Sequence, residues 1–172
     1  MRVVLRSSAT LREATVGDDD AVVALMCTYL KWVYAMLRER HGIELPAADA
    51  SLIRDSLSGL RRPSAMIVLA ERDGDVIGVG AVRGLDTQIA EIKRMYVSTE
   101  ARGLHVGSDL LNRLIAESLD AGAERVRLDS AEFMTDAHRI YRSRGFVERP
   151  PYPGSEIPEA VQQHWLFFER AL

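Results

Sequence analysis

Cysteine is almost missing from this chain of 172 residues, with Cys27 standing alone. A single thiol excludes an internal disulfide framework and any zinc site built on cysteines. Lysine is nearly as rare. Of 22 basic residues only Lys31 and Lys93 are lysine, and the arginines are scattered, as coding bias in a GC-rich genome leaves them. With a net charge of −3 and a pI of about 5.8 there is no broad basic surface, and no nucleic-acid partner is expected. No unbroken apolar run approaches the roughly 18 residues that span a membrane. Met1–Thr15 lacks the long apolar stretch and small-residue cleavage site of a signal peptide. A cytoplasmic protein without a membrane partner is expected. His41, His105, His138 and His164 never fall in HExxH spacing, so no metal is expected. Internal repeats and low-complexity tracts are missing too.

What is present is the balance of one soluble globular domain over residues 1–172, with 47% hydrophobic and 27% charged residues. Leu11–Ala14 reads as a short strand. Asp18–Asp20 places negative charge at the start of a helix that carries Val22, Leu25, Met26, Tyr29, Val33 and Met36 at helical spacing and stops at Gly42. A weaker helix around Leu52, Ser56 and Gly59 ends before Pro63. Ala65–Glu71 and Val76–Arg83 are strands joined by the turn Arg72–Asp75. Ile89–Val97 is a further strand, and a helix with Leu110, Leu111, Leu114, Ile115 and Leu119 on one face runs to Gly122. Val126–Asp129 is a strand, Thr135–Arg144 a helix, Phe146–Glu148 a short strand and His164–Glu169 the last one. Pro150, Pro151, Pro153 and Pro158 enforce an extended loop before it. Strands that pair first by hairpin and later alternate with helices imply an α/β (α+β) fold, a mixed and mostly antiparallel sheet flanked by helices.

The stretch from Glu91 to Leu111 runs from strand through a polar turn into a helix. Small residues at Gly103, Gly107 and Ser108 let a ligand approach the backbone. The amides from Gly103 to Ser108 are the free donors of a helix N-terminus, suited to phosphate or pyrophosphate. Neither GxxxxGK[ST] nor GxGxxG is present. The segment resembles the acetyl-CoA-binding motif of the GNAT N-acetyltransferases, [RQ]-x-x-G-x-[GA]. Arg102 and Gly107 fit, and His105 stands where the middle glycine is expected. Ala137–Phe146 is similar to the family signature A-x-x-[LI]-Y-x-x-x-G-F, with Met134 where an Asn is frequent. Ile77-Gly78 after the hairpin and the strand Ile92–Val97 complete the order. The resemblance covers about residues 65–149, the acetyl-CoA-binding core.

The resemblance implies a GNAT-type fold in which the neighbouring parallel strands Ile89–Val97 and Val126–Asp129 splay to admit the pantetheine arm. It implies acetyl-CoA held by Met95, Tyr96, Val97, Arg102, Gly103, Leu104, His105, Val106, Gly107 and Ser108. It further implies direct transfer of the acetyl group to a primary amine in a ternary complex. Glu91 matches the family's general base. Only about one alkyl amine in a thousand is unprotonated at neutral pH, so a base is needed. The plainer reading of Glu91 is a salt bridge to Arg83, Lys93 or Arg94. Tyr141 matches the family's general acid, acting on the leaving thiolate, against a plainer role as a core aromatic. His138, one turn earlier, is expected at the surface or as a cap, and Cys27 as a buried inert thiol. Tyr29, Trp32, Tyr34 and Met36 are candidates to line an acceptor pocket. The loop with Ser155 and Glu156 is a candidate lid, in which Glu156 holds an ammonium. A small-molecule or amino-acid acceptor is expected. A protein or peptide acceptor, a non-catalytic acyl-CoA sensor and a homodimer stay open.

Overall fold

Asp73 and Gly74 both sit at positive φ, 56° and 91°, so the Asp-Gly pair makes the two-residue turn that joins β2 (Ala65–Arg72) to β3 (Asp75–Gly84). The other local signals act as directly. Asp19 and Asp20 lie in the first turn of α1 (Asp19–His41), and Gly42, at φ 66°, ends it by bonding back to the Leu37 and Arg38 carbonyls. The Asp49 carboxylate accepts from the Ser51 and Leu52 amides and caps α2 (Ala50–Leu57). A computed structural model describes residues 9–172. The signal-peptide expectation rests largely on residues 1–8 and so lies outside the described residues.

Among the described residues seven strands form one sheet. β1 (Thr10–Glu13), β2, β3, β4 (Ile89–Val97), β5 (Arg125–Ala131), β7 (Trp165–Ala171) and β6 (Val147–Arg149) lie side by side in that order. Only β4 and β5 run parallel. Both faces are covered, and β2 shows how one strand serves both. Met66, Val68 and Ala70 enter the core under α3 (Val106–Asp120) and α4 (Thr135–Ser143). Ala65, Ile67 and Leu69 enter the core under α1 and α2. α3 lies close on β3 because two glycines make room. A Cβ on Gly80 would come 2.7 Å from Leu114 Cδ1, and one on Gly78 would come 3.1 Å from Leu110 Cδ1. This contact aims the N-terminus of α3 at the end of β4.

Two expectations change. The stretch before the last strand is not extended throughout. Pro158 sits at the N-cap of a 3-10 helix, Glu159–His164, and the strand begins at Trp165. Also, α1 with its lead-in, Val16–His41, is by length and composition long and apolar enough to cross a membrane. Lys31 interrupts the apolar run without removing its average character. In the fold Val22, Val23, Met26, Val33 and Leu37 of this helix are buried.

Candidate active site

The pairing of β4 with β5 covers only Ile89–Glu91 against Arg125–Arg127, and beyond it the two strands part. β5 remains fully paired to β7 on its other side, from Arg125 to Ala131. The result is a gap in the middle of the sheet, bordered by Ile92–Val97 and by Leu128–Ala131. A bulge sharpens it. Val79 faces Tyr96 and Ala81 faces Lys93, so Gly80 opposes both Arg94 and Met95, and Arg94 takes φ 56°. A cleft of about 590 Å³ opens here, lined among others by Tyr29, Arg94, Asp129 and Tyr141.

Next to the end of β4 stands the N-terminus of α3. The helix is preceded by a turn in which Gly103 has φ 78° and the exposed His105 has φ 62°. Among the described residues the amides of Gly103, His105, Val106, Gly107 and Ser108 have no backbone acceptor. That of Leu104 bonds to the Ala101 carbonyl, so one of the six expected donors is occupied. Gly107 lies against Val97, which brings Met95, Tyr96 and Val97 beside this cradle. Tyr96 is buried, with its ring 5.6 Å from that of Tyr29. Arg102 is exposed, and its guanidinium lies 5.8 Å over the Trp32 ring.

The two carboxylates near the gap differ sharply. Glu91 is 1% exposed, accepting from Arg83 Nε at 2.7 Å and from the Tyr152 hydroxyl at 3.1 Å, with Lys93 Nζ 3.7 Å away. Asp129, on β5, has one side-chain hydrogen bond among the described residues, from Ser155 Oγ at 3.3 Å. Burial and the nearby charge of Glu91 push its carboxyl up to about 6. Sequence reading missed Asp129, although an acid at the C-terminal end of a strand beside a gap is where ligands meet sheets. It read Arg94 only as a salt-bridge partner. Among the described residues the Arg94 side chain has neither a hydrogen bond nor an ion pair, and it borders the cleft.

Tyr141 enters from the α3 side, with Phe168 and Phe146 at 5.6 and 6.0 Å. Among the described residues no side-chain polar atom is both sealed and unpaired. Its unpartnered hydroxyl therefore opens onto the cleft. Burial, then Asp129, raises this phenol well above its ordinary value, so it holds its proton at neutral pH. His138 is not at the surface. It is 2% exposed, bonded to Ser130 Oγ at 3.1 Å, because the face of α4 that carries Tyr141 turns into the core. Cys27 is half-buried against the α1 core. Tyr29 and Tyr34 line the cleft, whereas Trp32 packs on Phe133. The proline-rich loop is latched, since Glu156 pairs with Lys93 at 2.5 Å and Arg83 at 3.2 Å. The ammonium that Glu156 holds is the protein's own.

Residues 19–146 match the model of the acetyltransferase (GNAT) family. The chain is similar to the IAA acetyltransferase of Azospirillum brasilense, 32% identical over 136 residues that cover 78% of this chain and 85% of that protein. It is similar to the aminoalkylphosphonate N-acetyltransferase of Salmonella typhimurium, 32% identical over 144 residues, covering 80% and 84%. The PaiA N-acetyltransferase of Thermoplasma acidophilum, solved in complex with coenzyme A, shares the fold. Its TM-score is 0.70 at 19% identity, covering 96% of this chain and 100% of that one.

Proposed function

The chain belongs to the acetyltransferase (GNAT) family, and from that premise we propose that it moves an acetyl group from acetyl-CoA to the primary amine of a small acceptor bearing an anionic group. The observation that carries the proposal is the parting of β4 from β5 beside the free amides of the α3 N-terminus. Helix N-terminal donors suit the pyrophosphate, and the gap suits the extended pantetheine. Backbone groups near Met95–Val97 polarise the thioester carbonyl. Asp129 takes a proton from the bound ammonium, the nitrogen lone pair so freed attacks the carbonyl carbon, and the carbon–sulfur bond breaks as thiolate leaves, the second nitrogen proton passing to solvent. Asp129, with its pKa near 6, is ionised at pH 7–8 and free to accept. This moves the base role from Glu91, whose oxygens are bound by Arg83 and Tyr152, and leaves Glu91 to set the charge around Asp129. Tyr141 is too weak an acid to surrender its proton to a thiolate with a pKa of roughly 8.5. It stabilises the sulfur as a hydrogen-bond donor.

Arg94 supports the anionic part of the acceptor. The Arg94 guanidinium at the cleft wall feels the Glu156 charge but is hydrogen-bonded to no side chain among the described residues, so its donors match a carboxylate or phosphonate, and an aminoalkylphosphonate enzyme is among the relatives. Thiol release from acetyl-CoA, followed with aminoalkylphosphonates, amino acids and uncharged amines of equal length, tests this. The anionic acceptors are expected to show kcat/KM at least about tenfold higher, a charge-assisted contact of about 1.5 kcal/mol or more. Arg94→Leu is expected to erase that preference. No thiol release with any acceptor, or a preference for uncharged amines or peptides, would overturn the proposal.

His105 makes a separate expectation. A side chain in the left-handed region costs about 1–2 kcal/mol, partly offset because glycine is more flexible when unfolded. His105→Gly is expected to raise stability slightly in urea and leave acetyl-CoA affinity unchanged or improved. Affinity that falls, most strongly below pH 6, would instead mark the imidazolium as a phosphate donor.

A further inference from the structure

At the far end of α1 from its acidic start, three segments meet outside the cleft. His41 is the last residue of α1, Glu132 follows β5, and His164 precedes β7. His41 Nε2 lies 2.6 Å from Glu132 Oε1, and His164 Nδ1 lies 3.7 Å from the same oxygen. The two imidazoles stack, with centroids 3.7 Å apart and planes 23° apart. All three donor atoms fall within 4.8 Å of one another. Their side chains are 23%, 37% and 16% exposed, so the cluster is neither sealed nor loose.

The backbone fixes this arrangement. The Glu132 amide donates to the His164 carbonyl at 2.9 Å, which continues the β5–β7 ladder and holds those two residues together. His41 is held from the other side, since Leu37, one turn earlier, is fully buried and Gly42 ends the helix. A neutral imidazole can meet the carboxylate through an N–H, and with that proton on the other ring nitrogen the same atom offers its lone pair to a cation. The negative end of the α1 dipole favours a cation at the same point.

We propose that His41 Nε2, His164 Nδ1 and the Glu132 carboxylate bind one divalent ion of the zinc, cobalt or nickel class, with an open position left for water. Two imidazoles and one carboxylate are the donors these borderline ions take, whereas magnesium and calcium prefer oxygen alone. Bonds of about 2.0–2.2 Å put donors roughly 3.0–3.5 Å apart, so rotamer-scale shifts of the half-exposed side chains complete the set. The ion would clip the end of α1 to the segments that carry Met134 and Trp165. Those residues line the cleft, as do Tyr29 and Tyr34 of α1. No spacing rule registers such a site, because each ligand comes from a different element.

The experiment uses full-length protein without a polyhistidine tag, stripped with chelator and titrated with cobalt(II) and zinc(II) in the absence of acetyl-CoA. One ion per chain is expected, with a d–d spectrum of nitrogen and oxygen ligands and a Tm that rises with metal concentration. His41→Gln and His164→Gln are each expected to weaken binding at least about tenfold, and the double variant to abolish it. His105→Gln, a histidine elsewhere, is expected to bind as wild type. Melting curves in chelator show whether each variant folds. Substoichiometric binding, or binding that survives in a folded double variant, would overturn the site. The readout needs no turnover, so its failure leaves the transferase proposal standing.

Discussion

Gly107→Asp is expected to abolish acetyl-CoA binding while leaving the fold intact. The backbone at Gly107 is ordinary helix, and a Cβ built there meets only Val97 Cγ2, at 3.8 Å. Nothing in the protein must move to admit the side chain. Gly107 is the second residue of α3, where a carboxylate favours the helix dipole by about 0.3–1 kcal/mol. Stability is therefore expected to hold or rise slightly. The same carboxylate occupies the space between the free amides and a pyrophosphate, and repels it. Two charges of like sign at hydrogen-bonding range in a partly desolvated cradle cost several kcal/mol, so affinity should fall by about 10³-fold or more. Calorimetric titration with acetyl-CoA, beside a thermal melt, checks both halves. Wild-type affinity in a folded variant would place the pyrophosphate elsewhere.

That prediction rests on residues the sequence makes legible, and the reason is local. Asp73-Gly74 turns, Gly42 ends a helix, and the β4–turn–α3 segment carries its chemistry within consecutive residues. The parting of the strands was open only to family resemblance. What escaped depends on partners far along the chain. Glu91 is held partly by a hydrogen bond from Tyr152, 61 residues away. The bulge at Arg94 needs Gly80 on the neighbouring strand and α3 lying over it, and Ile-Lys-Arg-Met-Tyr carries no mark of it. His138 is expected at the surface or as a cap because its partner, Ser130, lies just past the four residues Val126–Asp129 that read as strand, too few to fix which way it faces. Asp129 stands out only once the gap on one side of β5 and Ser155 above it are seen together.

Asp129→Asn is expected to remove most turnover and to stabilise the protein at neutral pH. A general base supplies about 10²–10⁴-fold, so kcat should fall by that order while acetyl-CoA affinity holds. The stability change follows from the direction of the pKa shift. The carboxyl titrates near 3.8 when unfolded and near 6 when folded. Between those values the folded protein binds more protons, so its stability falls as pH rises through about 6. Asn does not titrate and carries no such penalty. At pH 8 the variant should be more stable by on the order of 2 kcal/mol, and at pH 4 the two proteins should be nearly equal. Urea unfolding at both pH values checks the sign. In the wild type kcat/KM should climb through pH 6 to a plateau. Glu91→Gln should move that inflection down, because the Glu91 charge helps to raise Asp129. Tyr141→Phe should lower the plateau and leave the inflection in place, since the hydroxyl acts on the sulfur and not on the amine. If Asp129→Asn kept full activity across this range, the proton would leave by another route. A gain in stability at pH 8 in the same variant would then show that the buried charge was real but idle in catalysis.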